Sequence, residues 1–201
     1  MRRAVLATAL ALAGALPASA GDDDPAARNW NMACGGPERT SVTCAPIRQE
    51  PVEAWRYPAD GELLSDPVVW DGTIFCMVRT DRGRRALTAV DARTGEERAR
   101  RVFLDSDGTG ENLVVSQGTV VVSGDGLRGY LYKGAGLKPM WKSNGLVRDD
   151  PMLCGDLLLG DGGRRFLALE VRRGQSVRLA VHGAGRAAAT FRPDGVLLAS
   201  A

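Results

Sequence analysis

The 201-residue chain contains little of what most enzymes and metal sites are built from. His182 is its single histidine, and no Cys-x-x-Cys, Gly-x-Ser-x-Gly, P-loop or His-Glu-x-x-His motif occurs. A lone histidine cannot form a catalytic triad, and zinc sites of the ordinary type need several Cys and His ligands. We therefore expect no catalytic, cofactor-binding or metal-binding residue in this sequence.

Long apolar runs are scarce, and the one that occurs lies at the N-terminus. Arg2-Arg3 precede the apolar residues 5–16, and Ala18-Ser19-Ala20 follow them. This order is typical of a secretory signal peptide, and the run is too short to span a bilayer, which disfavours an uncleaved anchor. We predict that residues 1–20 are a cleaved signal peptide. The mature protein is then expected to be periplasmic or secreted, with no membrane span.

Without residues 1–20, the chain has no formal net charge, since 24 basic residues stand against 24 acidic ones. The whole chain carries 26 Lys and Arg against 24 Asp and Glu, but two of the basic residues and none of the acidic ones lie in the leader. Binding to nucleic acid depends on net or clustered positive charge. We therefore expect no nucleic-acid partner.

Residues 65–104 contain four short apolar runs that turn residues separate. Asp71-Gly72, between the first two runs, is the strongest short-range signal of a β-hairpin, because glycine accepts the positive φ of a primed turn. The segment therefore predicts an antiparallel four-stranded meander. The four runs are Val68–Trp70, Ile74–Val78, Ala86–Val90 and Arg98–Leu104.

This pattern repeats with a period near forty residues. One turn glycine recurs at steps of 46, 37 and 40 residues, and a second at steps of 41 and 38. Such a period, with four strands per unit and apolar inner strands, is typical of β-propeller blades. We predict an all-β propeller of four-stranded antiparallel blades, with a β-sandwich as the alternative. The glycines are Gly72, Gly118, Gly155 and Gly195, and then Gly95, Gly136 and Gly174.

The expected organisation is a linker and loop-rich lead-in at residues 21–50, followed by a partial propeller at 51–201. Val52–Tyr57 alternates apolar and polar residues, which predicts a half-buried edge strand. About 3.5 blades cannot close a ring, so we expect an open arc with an exposed sheet face, either truncated or completed by another chain. Self-association through these open faces is then possible. The four units are expected at about 63–104, 111–143, 149–181 and 187–201.

The four cysteines divide into two kinds. Cys34 and Cys44 lie ten residues apart in a loop-rich segment, and an exported chain meets an oxidising compartment, so they are the candidate disulfide. Cys76 and Cys154 lie in strands of units two apart, and such units are not neighbours. We therefore interpret these two as buried free thiols rather than as a bridge.

Three arginines recur just before the third strand of successive units. Arg85, Arg128 and Arg165 hold this position in units one to three. Equivalent turns of a propeller lie on one rim, so these residues predict a basic rim for an acidic partner, either a polyanionic cell-envelope component or a protein surface. The alternative is that they are ordinary solvated turn residues, since the chain uses 23 Arg against 3 Lys throughout.

The segments SDPVVWDGTIFCMV (65–78) and ALTAVDARTGEERAR (86–100) resemble the repeat of the PQQ-like, quinoprotein-type β-propellers. The lead-in NWNMACGGPERTSV (29–42) resembles the segment that precedes the first blade in exported members. The resemblance covers about residues 29–201 and implies a ring of seven or eight blades. Trp55 and Trp141 match the tryptophan that closes the family's repeat, but Ala99 stands where a third should be, so a looser junction is expected there.

The resemblance implies two classes of function, a binding protein and an enzyme. The leading interpretation is an exported, non-enzymatic propeller that acts as a binding or scaffold module in the cell envelope. The alternatives are a fragment of a PQQ-dependent dehydrogenase and a truncated propeller without independent function. The family's enzymes hold PQQ and a calcium ion in a central channel with an adjacent Cys-Cys pair, a catalytic Asp and other acidic ligands. This sequence has no Cys-Cys pair.

Overall fold

The computed structural model describes residues 53–59, 61–104, 109–124, 126–144, 151–161, 166–177, 188–191 and 197–200. This part of the chain is all β, with fourteen strands, antiparallel pairing throughout and no helix. It accordingly offers no helix of the length and apolarity needed to cross a membrane. Cys34, Cys44 and Arg165 lie outside the described residues, and so does the expected signal peptide.

The strands form four consecutive antiparallel sheets that do not close into a ring. Blade 1 has the order β1-β3-β4-β5, with β2 pairing the same strand as β1. Blade 2 has the order β6-β7-β8-β9, blade 3 the order β10-β11-β12, and β13 pairs β14 in the last sheet. This arrangement confirms the predicted open arc of blades. In blade 1 the strands are β1 Gly61–Leu63, β2 Val68–Trp70, β3 Thr73–Thr80, β4 Arg85–Asp91 and β5 Glu97–Val102.

The remaining sheets continue this plan along the chain. In blade 3, Ser176 bridges to Leu169, at the place where a fourth strand would begin. Blade 2 consists of β6 Thr109–Ser116, β7 Thr119–Gly124, β8 Leu127–Tyr132 and β9 Leu137–Ser143. The last strands are β10 Met152–Cys154, β11 Leu157–Asp161, β12 Phe166–Glu170, β13 Ala188–Phe191 and β14 Leu197–Ser200.

The first hairpins of blades 1 and 2 have the turn that the sequence predicts. Asp71 and Gly72 have φ of 45° and 68°, and Gln117 and Gly118 have φ of 46° and 73°. Positive φ at both central residues defines a type I′ turn, whose twist matches that of the flanking strands. In three blades, the second turn residue also accepts a hydrogen bond from the end of the third strand. The bonds are Ala92 N to Gly72 O (2.8 Å), Tyr132 N to Gly118 O (2.9 Å) and Val171 N to Asp156 O (2.9 Å).

The core lies between the blades, because each inner sheet is covered on both faces. Phe75 and Leu87 of blade 1 pack with Val120 and Tyr130 of blade 2 in one buried cluster. A second cluster joins blade 2 to blade 3. Side chains on successive strand positions point to opposite faces, so a strand buried on both sides is apolar throughout. The continuous apolar triplets of the sequence are thereby explained.

The prediction of a bare sheet face is wrong for the described residues of blades 1 and 3. On the face of blade 1 away from blade 2, Val78 and Ala86 are fully buried, with Ala59 and Leu63 packed against them. In blade 3, Leu159 is likewise fully buried. Self-association through open blade faces stays a prediction.

The predicted edge strand at Val52–Tyr57 is also wrong, since residues 53–59 form no strand. This segment is held to blade 1 by side chains instead of a backbone ladder. Trp55 Nε1 donates to Ala92 O at 2.9 Å, and the Tyr57 hydroxyl bonds to Glu97 and accepts from Arg100 Nη2 at 3.0 Å. The alternation of apolar and polar residues therefore reflects the docking of Trp55 and Tyr57 on blade 1 and not the two faces of a strand.

A tryptophan indole lies on a glycine at two junctions of the arc. Trp141 of β9 covers Gly174 of blade 3 and donates from Nε1 to Val171 O at 2.8 Å. A Cβ placed on Gly174 would lie 2.4 Å from this indole, and one on Gly129, in the neighbouring strand β8, would lie 2.3 Å from it. Trp55 covers Gly95 in the same way. The blades are joined where glycine leaves room for an aromatic ring.

The hairpin between β4 and β5 is held by a buried carboxylate. Asp91 Oδ1 accepts from the backbone N–H groups of Arg93 and Thr94, both at 2.8 Å, and Oδ2 pairs with Arg98. The backbone donors and the guanidinium outweigh the effect of burial and lower the pKa of Asp91 to about 2. The ionised carboxylate is therefore part of the native structure at neutral pH.

Replacing Gly129 by alanine is expected to lower the free energy of unfolding by about 2–3 kcal/mol, because the new methyl group overlaps the Trp141 indole. Gly136→Ala is the matched control. Gly136 has open space around it and lacks a positive φ, so its replacement is expected to change stability by less than about 0.5 kcal/mol. Urea unfolding measures both variants, and equal losses would contradict the indole-on-glycine arrangement.

Asp91→Asn is expected to lose about 2 kcal/mol of stability at neutral pH, because the pKa of Asp91 is lower in the folded chain than in the unfolded one. A depressed pKa adds stability above the unfolded value, and this contribution disappears as the pH falls towards 2. The gap between wild type and variant should therefore close between about pH 4 and pH 2. The control is Asp81→Asn at the exposed β3–β4 turn, and a gap that does not narrow would refute the assignment.

Candidate ligand-binding groove between blades 1 and 2

The junction between blades 1 and 2 lacks its tryptophan. Ala99 pairs with Ala89 just as Trp141 pairs with Gly129, so Ala99 holds the position of the indole. The sequence-based alignment of these residues is therefore confirmed. The second turn glycine is different, because the β8–β9 hairpin is two residues longer than the β4–β5 hairpin, and Gly136 is not the structural counterpart of Gly95.

Aromatic rings from blade 2 fill the inner part of this junction. Tyr132 meets Phe75 edge to face, with ring centroids 5.1 Å apart, and Tyr130 meets Phe103 at 5.7 Å. Such contacts add about 0.5–1.5 kcal/mol each beyond the buried area. Ala99 is buried beside them. The missing indole thus leaves no hole in the interior of the junction.

The outer part of the same junction remains open as a groove. It has a volume of about 310 Å³ and lies between β5 of blade 1 and the strands β8 and β9 of blade 2. Two arginines and a lysine line it, and none of the described residues that line it is a carboxylate. The lining residues are Arg101, Arg128, Tyr130, Pro139, Met140, Trp141 and Lys142.

Arg101 comes from blade 1 and faces the junction. It pairs with Leu87, and its neighbours on the same face are Ala99 and Phe103, both buried. Its Cζ lies 5.4 Å from the ring centroid of Tyr130, a cation–π contact across the junction. Its Nε is buried and donates to no acceptor in the described structure. A charged group with a desolvated, unsatisfied donor is costly unless a ligand compensates it.

Tyr130 and Arg128 form the blade 2 wall of the groove. Burial raises the pKa of Tyr130, while the nearby guanidinium groups of Arg128 and Arg101 oppose this rise. Two guanidinium groups therefore converge on one phenol. Both guanidinium groups lie beside the Tyr130 ring, within the groove.

A β-bulge directs Met140 into the groove. Gly129 pairs with Trp141 and Tyr130 pairs with Pro139, so Met140 is the extra residue of β9. The same bulge occurs in blade 1, where the extra residue is Arg98. Arg98 binds the carboxylate of its own hairpin, whereas Met140 is 43% exposed. Bulges often re-aim a side chain at a functional surface, and here the side chain is apolar.

The predicted basic rim needs a correction in register. Arg128 pairs with Val122 and is the counterpart of Thr88, whereas Arg85 pairs with Arg79 three positions earlier in its blade. The two arginines are therefore not equivalent, because Arg128 lies three register positions further along its blade than Arg85, and β8 itself begins two positions later than β4. Arg128 lies in the groove, while Arg85 does not line it. The binding role of the rim stays a prediction.

Sequence reasoning missed Arg101 and Lys142, although a signal for Arg101 exists. In Ala99-Arg100-Arg101-Val102-Phe103 the odd-numbered positions share one face, which places Arg101 between two buried apolar residues. Lys142 follows the tryptophan directly. Its position in the groove depends on the bulge, which the sequence does not reveal.

The chemistry of the family's cofactor site finds no match among the described residues. No group of three or more His, Cys, Asp or Glu side chains comes together there. Calcium binds through carboxylates and other oxygen donors, and the described residues bring together no such set. Cys76 is a free, buried thiol whose pKa is raised by burial, as the sequence predicts. The expectation of no cofactor stays a prediction.

Comparison with solved structures places the fold among the PQQ-like β-propellers. A europium-containing methanol dehydrogenase is 16% identical, with 77% of this chain and 32% of that chain covered and a TM-score of 0.57. A quinohemoprotein alcohol dehydrogenase from Comamonas testosteroni is 16% identical, with 74% and 26% covered and a TM-score of 0.53. BamB from Moraxella catarrhalis is 21% identical, with 66% and 43% covered and a TM-score of 0.49.

The likeness to the two dehydrogenases confirms, at the level of fold, the resemblance found in the sequence. The chain spans less than half the length of each of these structures. No protein-family model and no curated protein matches the chain.

Arg101→Met is expected to change the free energy of unfolding by no more than about 1 kcal/mol, because losing the cation–π contact is offset by removing an unsatisfied buried donor. Arg100→Met is the adjacent control. It loses hydrogen bonds of 2.6–3.1 Å to Glu97 and Tyr57, so a loss of about 2 kcal/mol is expected. Thermal unfolding compares the two, and a greater loss for Arg101→Met would assign that residue to stability.

Proposed function

We propose that this chain is an exported, non-enzymatic PQQ-like β-propeller protein that serves as a binding or scaffold module in the cell envelope. Its partner is an acidic surface, which docks on the groove between blades 1 and 2. The pattern of residues 1–20 supports export. The propeller fold supports a surface for docking, since propellers carry many functions on one scaffold.

The observation that carries this proposal is the set of charges in the groove. Arg101, Arg128 and Lys142 come from three different strands and line one groove, and none of the described lining residues is a carboxylate. An anionic partner would supply Arg101 and Lys142 with charge-assisted hydrogen bonds, which are about twice as strong as neutral ones.

The position of the groove also favours a large partner. It opens between the outer strands β5 and β9. A surface between outer strands is accessible to another protein or a polymer, whereas cofactor enzymes of this family hold their cofactor in a central channel. Trp141 is fixed to blade 3 through Val171, so one wall of the groove is preorganised.

The proposal is tested with fluorescently labelled polyglutamate in an anisotropy titration. The wild-type chain is expected to bind it, more weakly as salt increases, because exposed charges are screened. The triple variant Arg101→Glu, Arg128→Glu, Lys142→Glu should bind at least about tenfold more weakly.

The control has the same net charge but changes cations outside the groove. It carries Arg82→Glu, Lys133→Glu and Arg172→Glu, all at exposed positions. Its affinity should fall by no more than about twofold, since distant surface charges are screened. An equal loss in both triple variants, or no binding by the wild type, would overturn the proposed function.

A further inference from the structure

The groove offers positive charge and apolar surface side by side. Lys142 and Met140 are exposed positions of β9, and Pro139 lies next to them. Across the groove stands Arg101, whose aliphatic stem lies on the face of buried Ala99 and Phe103. A ligand that fills this groove must therefore present an anion together with an apolar group.

The volume of the groove limits how much of a partner it can hold. Ligand pockets run from about 300 to 1,000 Å³, and this groove of about 310 Å³ lies at the small end. It has room for a few side chains of a larger molecule. The partner is then recognised through a short segment, and the rest of its surface makes other contacts.

We propose that the groove binds an acidic peptide segment of another protein, in which an Asp or Glu lies next to an apolar residue. This inference rests on the proposed function and specifies its partner. The carboxylate binds the guanidinium of Arg101 and the ammonium of Lys142, and the apolar side chain covers Met140 and Pro139.

Three observations favour a peptide over a regular polyanion. A polymer that carries charge on every unit has no apolar group to cover Met140, which is 43% exposed. The same bulge in blade 1 has a charged residue, Arg98, at the position of Met140. Blade 2 therefore has an apolar side chain where blade 1 has a charged one. The guanidinium of Arg101, which lines the groove, suits a planar carboxylate, because arginine can bind one through two parallel hydrogen bonds.

The experiment measures the affinity of the full chain for two labelled probes. One is a short synthetic peptide of alternating glutamate and leucine, and the other is polyglutamate. The peptide is expected to bind more tightly. Arg101→Gln should weaken peptide binding by about tenfold or more, and Met140→Gln by about fivefold. Far-ultraviolet circular dichroism of each variant checks that the blades remain folded.

Val102→Gln is the matched control for Met140→Gln. Val102 is 44% exposed, nearly the same as Met140. It follows Arg101 directly in β5, so its side chain points to the face of that strand that is opposite to Arg101 and the groove. Its replacement should leave the affinity for the peptide unchanged.

The outcomes separate the two proposals. Polyglutamate that binds as tightly as the peptide, with no effect of Met140→Gln, would overturn this inference and leave the proposed function standing. Absence of binding to either probe would overturn both. Equal effects of Met140→Gln and Val102→Gln would also contradict the inference, because the apolar contact would then not lie in the groove.

Discussion

The arc is built on the contact between an indole and a glycine of the next hairpin. Trp141 lies on Gly174 and donates to Val171 O, and Trp55 lies on Gly95 and donates to Ala92 O, at 2.8 and 2.9 Å. Each indole contributes a large apolar area and satisfies its own N–H, so it can be buried between sheets without an unpaired donor. Glycine is needed beneath it because a methyl group would overlap the ring.

The groove exists because this contact is missing once. At the junction of blades 1 and 2, Ala99 takes the place of the indole, and rings of Tyr130 and Tyr132 close only the inner part. The outer part is left to Arg101 and Lys142. The cation–π contact of Arg101 with Tyr130 contributes to packing, but burying part of its guanidinium carries a desolvation cost. Proteins accept such local costs at binding sites, where a partner compensates them.

The sequence predicts those features of the fold that depend on local turn and strand chemistry. It does not predict the features that depend on the pairing register of neighbouring strands. The Asp71-Gly72 hairpin, the repeating blades and the position of Ala99 follow from turn residues and spacing, and the structure has them. Residues 53–59 failed as a strand because their alternation reflects side-chain docking. The equivalence of Arg85 and Arg128 failed because β8 starts later in its blade, and Lys142 was missed because a bulge sets its position. Register shifts and bulges arise from pairing between strands, which a single sequence shows only indirectly.

The central claim is that the junction without a tryptophan is where this propeller binds an acidic partner. Hydrogen–deuterium exchange with and without a saturating acidic peptide tests it most directly, because exchange reports local opening along the whole chain. The account predicts slower exchange in Glu97–Val102 and Leu137–Ser143, the outer strands that flank the groove, and unchanged exchange in Leu157–Asp161 and Phe166–Glu170 of blade 3. Protection confined to blade 3, or spread evenly over the sheets, would contradict it.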